Sequence, residues 1–267
     1  MRYRLGAAAI ALTTMTLMPV RAQTTQPRTV APVDLSGNWG YAVGNSFSPK
    51  GTAQDAGTPE DGVPYQPWAL ALMKSRRTMA GPTATFDTRG GDSLDARETS
   101  DPLEQCAPNG VPRILTWPTK FKFLQTPDVV YILYEYGPYW RPVWLDRPHP
   151  EADVLDSNYW GHSTGRYEGS DTLIVDTIGF NDRTWLDDVG RPHTDRLHVI
   201  ERYRRVDTNR LEVTLTIDDP GAYTSSFTYG PRIVQARTTD FGGASWTCTI
   251  ENNTRFFKEN TSPTLGR

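Results

Sequence analysis

The chain has 267 residues, 37% of them hydrophobic and 22% charged, with a formal net charge of −3. That balance excludes the basic field a nucleic-acid partner needs, and the length suits one large β domain better than two small ones. Beyond the N-terminal segment no apolar stretch is long enough to cross a bilayer.

Met1-Arg2-Tyr3-Arg4 is a short basic start, followed by an apolar run from Leu5 to Val20. Val20-Arg21-Ala22 then places small residues at the −3 and −1 positions of a cut before Gln23. This is the layout of a secretory signal peptide, residues 1–22, and the run is too short and too rich in Thr for an anchor. The expected location is periplasmic or secreted, after cleavage near Ala22. Residues 23–33 form a polar, Pro-bearing leader, and 34–267 form the domain. The two cysteines, Cys106 and Cys248, are expected to form a disulfide in an oxidising compartment, with two buried thiols as the alternative.

A first strand is expected over Leu35–Val43, anchored by Trp39. Pro67–Met79 has helical spacing in Trp68, Leu72 and Met73, with Pro67 suited to a first turn. Residues 80–109 predict a long charged loop. From Thr119 the pattern becomes β. Phe121 and Phe123 alternate with Lys120 and Lys122, and Val129–Tyr136 follows the turn at Thr126-Pro127-Asp128. Tyr139–Leu145 is a third strand of this stretch, which Pro142 confines to an edge or a bulge. Gly161–Tyr167 and Thr172–Ile178 flank a hairpin turn at Glu168–Asp171. Leu197–Val206 pairs with Leu211–Asp218, in which Leu211, Val213, Leu215 and Ile217 share one face. Phe227–Ala236 and Ala244–Ile250 complete about ten strands, which predicts a single antiparallel β-barrel or bent meander, closed to hide its edges.

Several blocks carry a resemblance. They include Asp34-Leu35-Ser36-Gly37-Asn38-Trp39, Gly161-His162-Ser163 with Gly165-Arg166-Tyr167-Glu168-Gly169, and Val175–Asp187 (VDTIGFNDRTWLD). Glu201–Asp207 (ERYRRVD) and Thr216–Pro220 (TIDDP) complete the set. Through them the chain resembles a large group of uncharacterised secreted bacterial proteins, which implies export and no particular reaction. At the level of architecture, Gly37-Asn38-Trp39 ahead of a β meander is similar to lipocalin-type barrels. That likeness implies a barrel holding a small ligand.

The chemistry-bearing residues concentrate in the middle of the chain. All four histidines, His149, His162, His193 and His198, lie there, and imidazole moves protons near neutral pH. His162 and His193 are the expected proton-transfer groups, with Asp182, Asp187 or Glu201 as orienting or acid groups. The segment Phe180–Asp195 carries Trp185 among its aspartates. It is either a lid whose Trp185 lines a pocket at the barrel mouth, or a plug in which Trp185 packs and the aspartates cap turns. Glu201 shares a strand face with Leu197, Val199 and Tyr203. If that face points inward it needs a partner such as Arg166 or titrates high. Trp160, Arg166, Trp185, Arg202 and Tyr223 are the expected substrate contacts, the arginines placing an anionic group. No cofactor is expected. A metal held by His162, His193 and His198 with Asp182 or Asp187 is the lesser alternative, since the histidines lack helical metal-binding spacing. The function these residues predict is an exported enzyme acting on a small organic molecule by His/Asp acid–base chemistry. A lyase, isomerase or hydrolase would fit. A non-catalytic carrier and a structural envelope protein are the alternatives.

Overall fold

A computed structural model of the chain describes residues 31–41, 55–76, 101–116, 119–137, 139–239 and 241–242. The expected signal peptide, the strand at 244–250 and Cys248 lie outside the described residues, as do most of the 80–109 loop and the end of the expected helix. The strands are β1 (Asn38–Tyr41), β2 (Lys120–Gln125), β3 (Val129–Tyr134), β4 (Trp140–Leu145), β5 (His162–Glu168), β6 (Thr172–Ile178), β7 (His198–Asp207), β8 (Arg210–Asp218) and β9 (Phe227–Ala236). Two short helices, α1 (Pro67–Ser75) and α2 (Arg113–Thr116), accompany them. The nine strands close into one barrel in sequence order, β1 pairing with both β2 and β9. The fold is mainly β.

An odd ring of neighbouring strands cannot alternate direction all the way round. One pair must run parallel, and it is β4–β5, with Val143, Trp144 and Leu145 opposite Ser163, Thr164 and Gly165. A parallel pair needs a connection that travels back along the barrel. Residues 146–161 make that return along the outside. Asn158 fastens the far end, its N–H donating to the Gly179 carbonyl at 3.1 Å and its own carbonyl accepting from Asn181 at 3.0 Å. Gly179 makes this approach feasible. Its φ is +79°, and a Cβ there would stand 2.7 Å from Leu155 Cδ2.

Pro142 was expected to mark an edge or a bulge, and it does neither. It sits opposite Tyr131 in a strand paired on both sides, with no register shift between β3 and β4. The ring tolerates a residue without an N–H because pairing to β5 begins only at Val143.

The period-2 pattern decides what fills the barrel. Leu211, Val213, Leu215 and Ile217 of β8 are fully buried, as are Val199, Glu201 and Tyr203 of β7. Phe121, Phe123 and Tyr203 pack edge to face, with ring centroids 5.6 and 5.0 Å apart along the chain of contacts. The outward face of β7 carries His198, Arg202 and Arg204, with Arg202 donating to Glu168 and Arg204 to Glu212. On β7 and β8 the alternation is thus apolar inward, apart from Glu201, and mostly polar or charged outward. No described helix is long and apolar enough to cross a membrane.

Candidate functional site

The candidate residues divide among three places. The first is the barrel interior, where Glu201 is fully buried. Its partner is Arg141 of β4, not Arg166. Strand parity explains the correction: Arg166 shares the outward face of β5 with His162 and Thr164 and is exposed, whereas Arg141 shares the inward face of β4 with Val143 and Leu145. The Arg141 guanidinium donates to Glu201 Oε2, to Tyr134 OH at 2.9 Å, to Ser163 Oγ at 2.9 Å and to Thr177 Oγ1 at 3.3 Å. Tyr203 donates to the same Glu201 oxygen at 2.5 Å. Burial opposes the charge on Arg141, but the Glu201 carboxylate holds its pKa above the ordinary value. This is a fixed ion pair with hydroxyls around it, sealed from solvent. Glu201 Oε1 has no hydrogen-bond partner among the described residues.

The second place is the loop between β6 and β7, which packs at one end of the barrel. Trp185 does not line an opening. It is 2% exposed, with the guanidinium of Arg76 4.8 Å from its ring centroid and that of Arg113 5.4 Å away. Arg113 in turn donates to both oxygens of Asp101, at 2.6 and 2.5 Å. Asp187 is buried and accepts from Arg191 at 2.5 Å and from Tyr229 OH at 2.7 Å. Arg191 also donates to Tyr65 OH at 2.8 Å and to Asp61 at 3.3 Å. Tyr223 is buried and donates its hydroxyl to the Pro192 carbonyl at 2.6 Å. Of the aspartates named in this loop, Asp182 is exposed. Neighbouring Asp188 is pushed up to about 6 by burial, with the Asp187 charge adding to it.

His193 belongs to this packed end. Its Nδ1 donates to the Thr194 carbonyl at 3.1 Å, so its Nε2 accepts from Thr184 Oγ1 at 2.9 Å. Burial lowers its pKa. Both ring nitrogens are engaged, and the imidazole is 4% exposed. His162 and His193 therefore do not share a pocket.

The third place is the outer wall of β5, β6 and β7, where the return segment crosses it. Thr164 of β5 stands opposite Asp176 of β6, and Asp176 opposite Ile200 of β7. His162 and His198 flank them on the same outward face. The return segment lays His149 across this surface. His149 Nε2 and His198 Nε2 each lie 2.9 Å from Asp176 Oδ1, and His149 Nδ1 lies 3.0 Å from His162 Nδ1. A longer contact of 3.3 Å joins His149 Nε2 to Thr164 Oγ1.

The electrostatics order this chain. Hydrogen bonds from His198 and His149 hold the Asp176 pKa below its ordinary value despite partial burial, so the carboxylate is ionised and accepts from both rings. The bond to Asp176 raises the pKa of His198. With His149 Nε2 donating to Asp176, its Nδ1 is left to accept the Nδ1–H of His162. His162 is then left with a lone pair on Nε2, which has no protein partner among the described residues. Burial lowers the pKa of His162 below the ordinary imidazole value. The ring borders an open cleft of about 400 Å³ lined by Trp144, Arg147, Pro148, His149, Pro150 and His162.

Of the expected substrate contacts, Trp160 packs on Tyr134 with centroids 5.7 Å apart and on Tyr139 at 5.0 Å. Arg202 is engaged with Glu168 at 2.5 Å. His162 is thus the one expected catalytic residue in the outer site. The residues not singled out for proton transfer are His149 and His198, with Asp176 between them. The repeated tripeptide Arg-Pro-His, at 147–149 and 191–193, was a signal available for His149. Among the described residues no group of three or more His, Cys, Asp or Glu side chains is arranged to hold a metal ion.

No family model, no curated protein and no solved structure matches the chain.

Proposed function

We propose that this protein is an enzyme, exported under the direction of its N-terminal segment, that uses His162 Nε2 as a general base on a small organic molecule held in the outer-wall cleft. The observation that carries the reading is the Asp176–His149–His162 chain. Each member fixes the tautomer of the next, and the last one, whose ring lines a cleft, keeps an Nε2 lone pair without a partner among the described residues. A carboxylate that orients an imidazole which orients a second imidazole extends the logic of a catalytic triad by one ring. The depressed pKa of His162 keeps it unprotonated at neutral pH, as a base must be. The barrel supplies rigidity, since β5 and β6 hold His162, Thr164 and Asp176 in register.

The site therefore lies on the barrel wall instead of in its mouth, where Trp185, Asp187 and Tyr223 are mutually satisfied. The test uses a generic carbon-acid probe, 5-nitrobenzisoxazole, whose ring opens when a base removes its carbon-bound proton. Wild type is expected to exceed His162→Gln by about a hundredfold, the usual worth of a positioned base. His193→Gln, at the packed end, is expected to keep the wild-type rate. A folded His162→Gln protein with undiminished turnover would sink the reading.

A further inference from the structure

The cleft does not stop at His162. Strand parity places Trp140, Pro142 and Trp144 on the outward face of β4, and Tyr131 and Leu133 beside them on β3. Leu124 of β2 extends the row, opposite Tyr131. This row is apolar and uncovered, with Lys122 at its border opposite Leu133: Trp140 is 60% exposed and Leu124 54%. Tyr131 and Trp140 meet edge to face at 5.8 Å. Four strand residues at ~3.3 Å each set Trp140 and Trp144 about 13 Å apart along the wall. Trp144 is also a wall of the cleft, so the aromatic row runs directly into the site.

At that junction stands Arg147. Its guanidinium lies 5.2 Å from the Trp144 ring centroid, and it has no hydrogen-bonding or ionic partner among the described residues. Other arginines are engaged by carboxylates, among them Arg113 by Asp101, Arg141 by Glu201, Arg191 by Asp187, Arg202 by Glu168 and Arg204 by Glu212, and Arg76 and Arg205 donate to backbone carbonyls. A cation stacked on an aromatic face beside a free base is suited to a carboxylate or another planar anion.

We infer that the substrate is an acidic sugar chain, a uronate-bearing glycan, whose rings lie along Trp140 and Trp144 while Arg147 takes a carboxylate. The inference rests on His162 being the base. The step it implies is an elimination. Arg147 neutralises the carboxylate and so acidifies the carbon-bound proton next to it. His162 Nε2 removes that proton from C5. The C5–H electron pair forms the C4=C5 double bond, the C4–O bond breaks, and the departing oxygen takes a proton from water. No oxidant, reductant or metal enters the balance. Extended aromatic rows hold sugar rings by stacking on their C–H faces. This explains why a wall site, open along its length, would serve a polymer better than a closed barrel mouth.

The test incubates the full chain with polygalacturonate, alginate and hyaluronan, with fully methyl-esterified pectin and xylan as uncharged controls. It follows the ultraviolet absorbance of the unsaturated uronate and measures binding by affinity electrophoresis. Turnover of at least one acidic polymer is expected, lost in His162→Gln. Arg147→Gln is expected to raise KM about tenfold or more, the loss of one charged hydrogen bond. Trp140→Ala is expected to weaken polymer binding by about tenfold or more. If His162-dependent turnover of 5-nitrobenzisoxazole is present but no acidic polymer binds or is cleaved, the glycan assignment is overturned and the base stands. Equal retention of charged and uncharged polymers, indifferent to Arg147→Gln, overturns it as well. Loss of His162 dependence in the benzisoxazole assay overturns the base itself.

Discussion

The inside of the barrel and its outer wall use the same kinds of residue for opposite ends. Inside, Glu201 is matched by Arg141, and the remaining guanidinium N–H groups are spent on Tyr134, Ser163 and Thr177. At the packed end, Arg191 is matched by Asp187, Tyr65 and Asp61. In both networks the carboxylates and guanidinium groups are buried, with Tyr65 alone of the named partners half-buried. On the outer wall, Asp176, His149, His162 and His198 are only partly buried, and their chain of hydrogen bonds ends in a nitrogen with no partner among the described residues. A buried polar network with its bonds made, as these are except at Glu201 Oε1, contributes to specifying a structure. A half-open one with a lone pair left at a cleft has capacity for chemistry.

The contrast predicts that substitutions inside cost stability and substitutions on the wall cost reactivity. The largest effect is expected at the interior pair. Glu201→Ala leaves the Arg141 charge buried without compensation and should lower unfolding free energy by about 3–5 kcal/mol in a denaturant titration. Replacing both members, Glu201→Met with Arg141→Met, should restore much of that loss, because an apolar pair of similar volume needs no partner. A Glu201→Ala protein as stable as wild type would erase the distinction. Next comes the packed end: Asp187→Ala strips Arg191 of its shortest bond and removes an acceptor from Tyr229, at an expected cost of about 2–4 kcal/mol. Asp176→Asn on the wall should cost only about 1 kcal/mol of stability. It removes the acceptor that fixes the tautomer of His149, so the proton-abstraction rate of His162 should drop by about tenfold or more.

The smallest effect is on pH dependence, and its sign follows from the shifts. His162 and His193 have pKa values lowered in the fold, first of all by burial. Below the ordinary imidazole value of 6.5 the unfolded chain takes up protons that these rings refuse. Each therefore subtracts stability as pH falls, by at most about 1.4 kcal/mol per pH unit. His198 acts the other way. Its pKa is raised by Asp176, so its contribution is complete below 6.5 and fades as pH rises through the folded value. Asp176 contributes above 3.8 and loses its contribution as pH falls through its lowered value. Thermal unfolding between pH 7 and 5 should show a shallower acid-side decline in His193→Gln and a steeper one in His198→Gln.

The strands were legible because alternation in sequence becomes alternation in space. Thr172–Ile178 and Phe227–Ala236 are found at the bounds expected of them, and the inward face of Leu211–Ile217 is fully buried. The inward face of Glu201 was legible by the same parity. Its partner Arg141 was not legible, because β4 and β7 are not neighbours in the sheet and only barrel closure brings their inward faces together. The site was not legible, because no local pattern records ring closure. An odd number of strands demands one parallel pair, that pair demands a return along the wall, and only the return brings His149 to His162 and Asp176. His193 misled for the converse reason. It is rich in chemical neighbours in sequence, yet in space both of its nitrogens are bound.

The most direct measurement is the ring protonation of His162 by ¹⁵N NMR of the imidazole nitrogens, assigned against His162→Gln and followed through a pH titration. The expected result is a neutral ring at pH 7 protonated on Nδ1, with Nε2 bare and a pKa below the ordinary histidine value. Protonation of Nε2 at neutral pH, in either the neutral tautomer or the imidazolium, would mean that no free base faces the cleft, and the assignment of the catalytic site would fail.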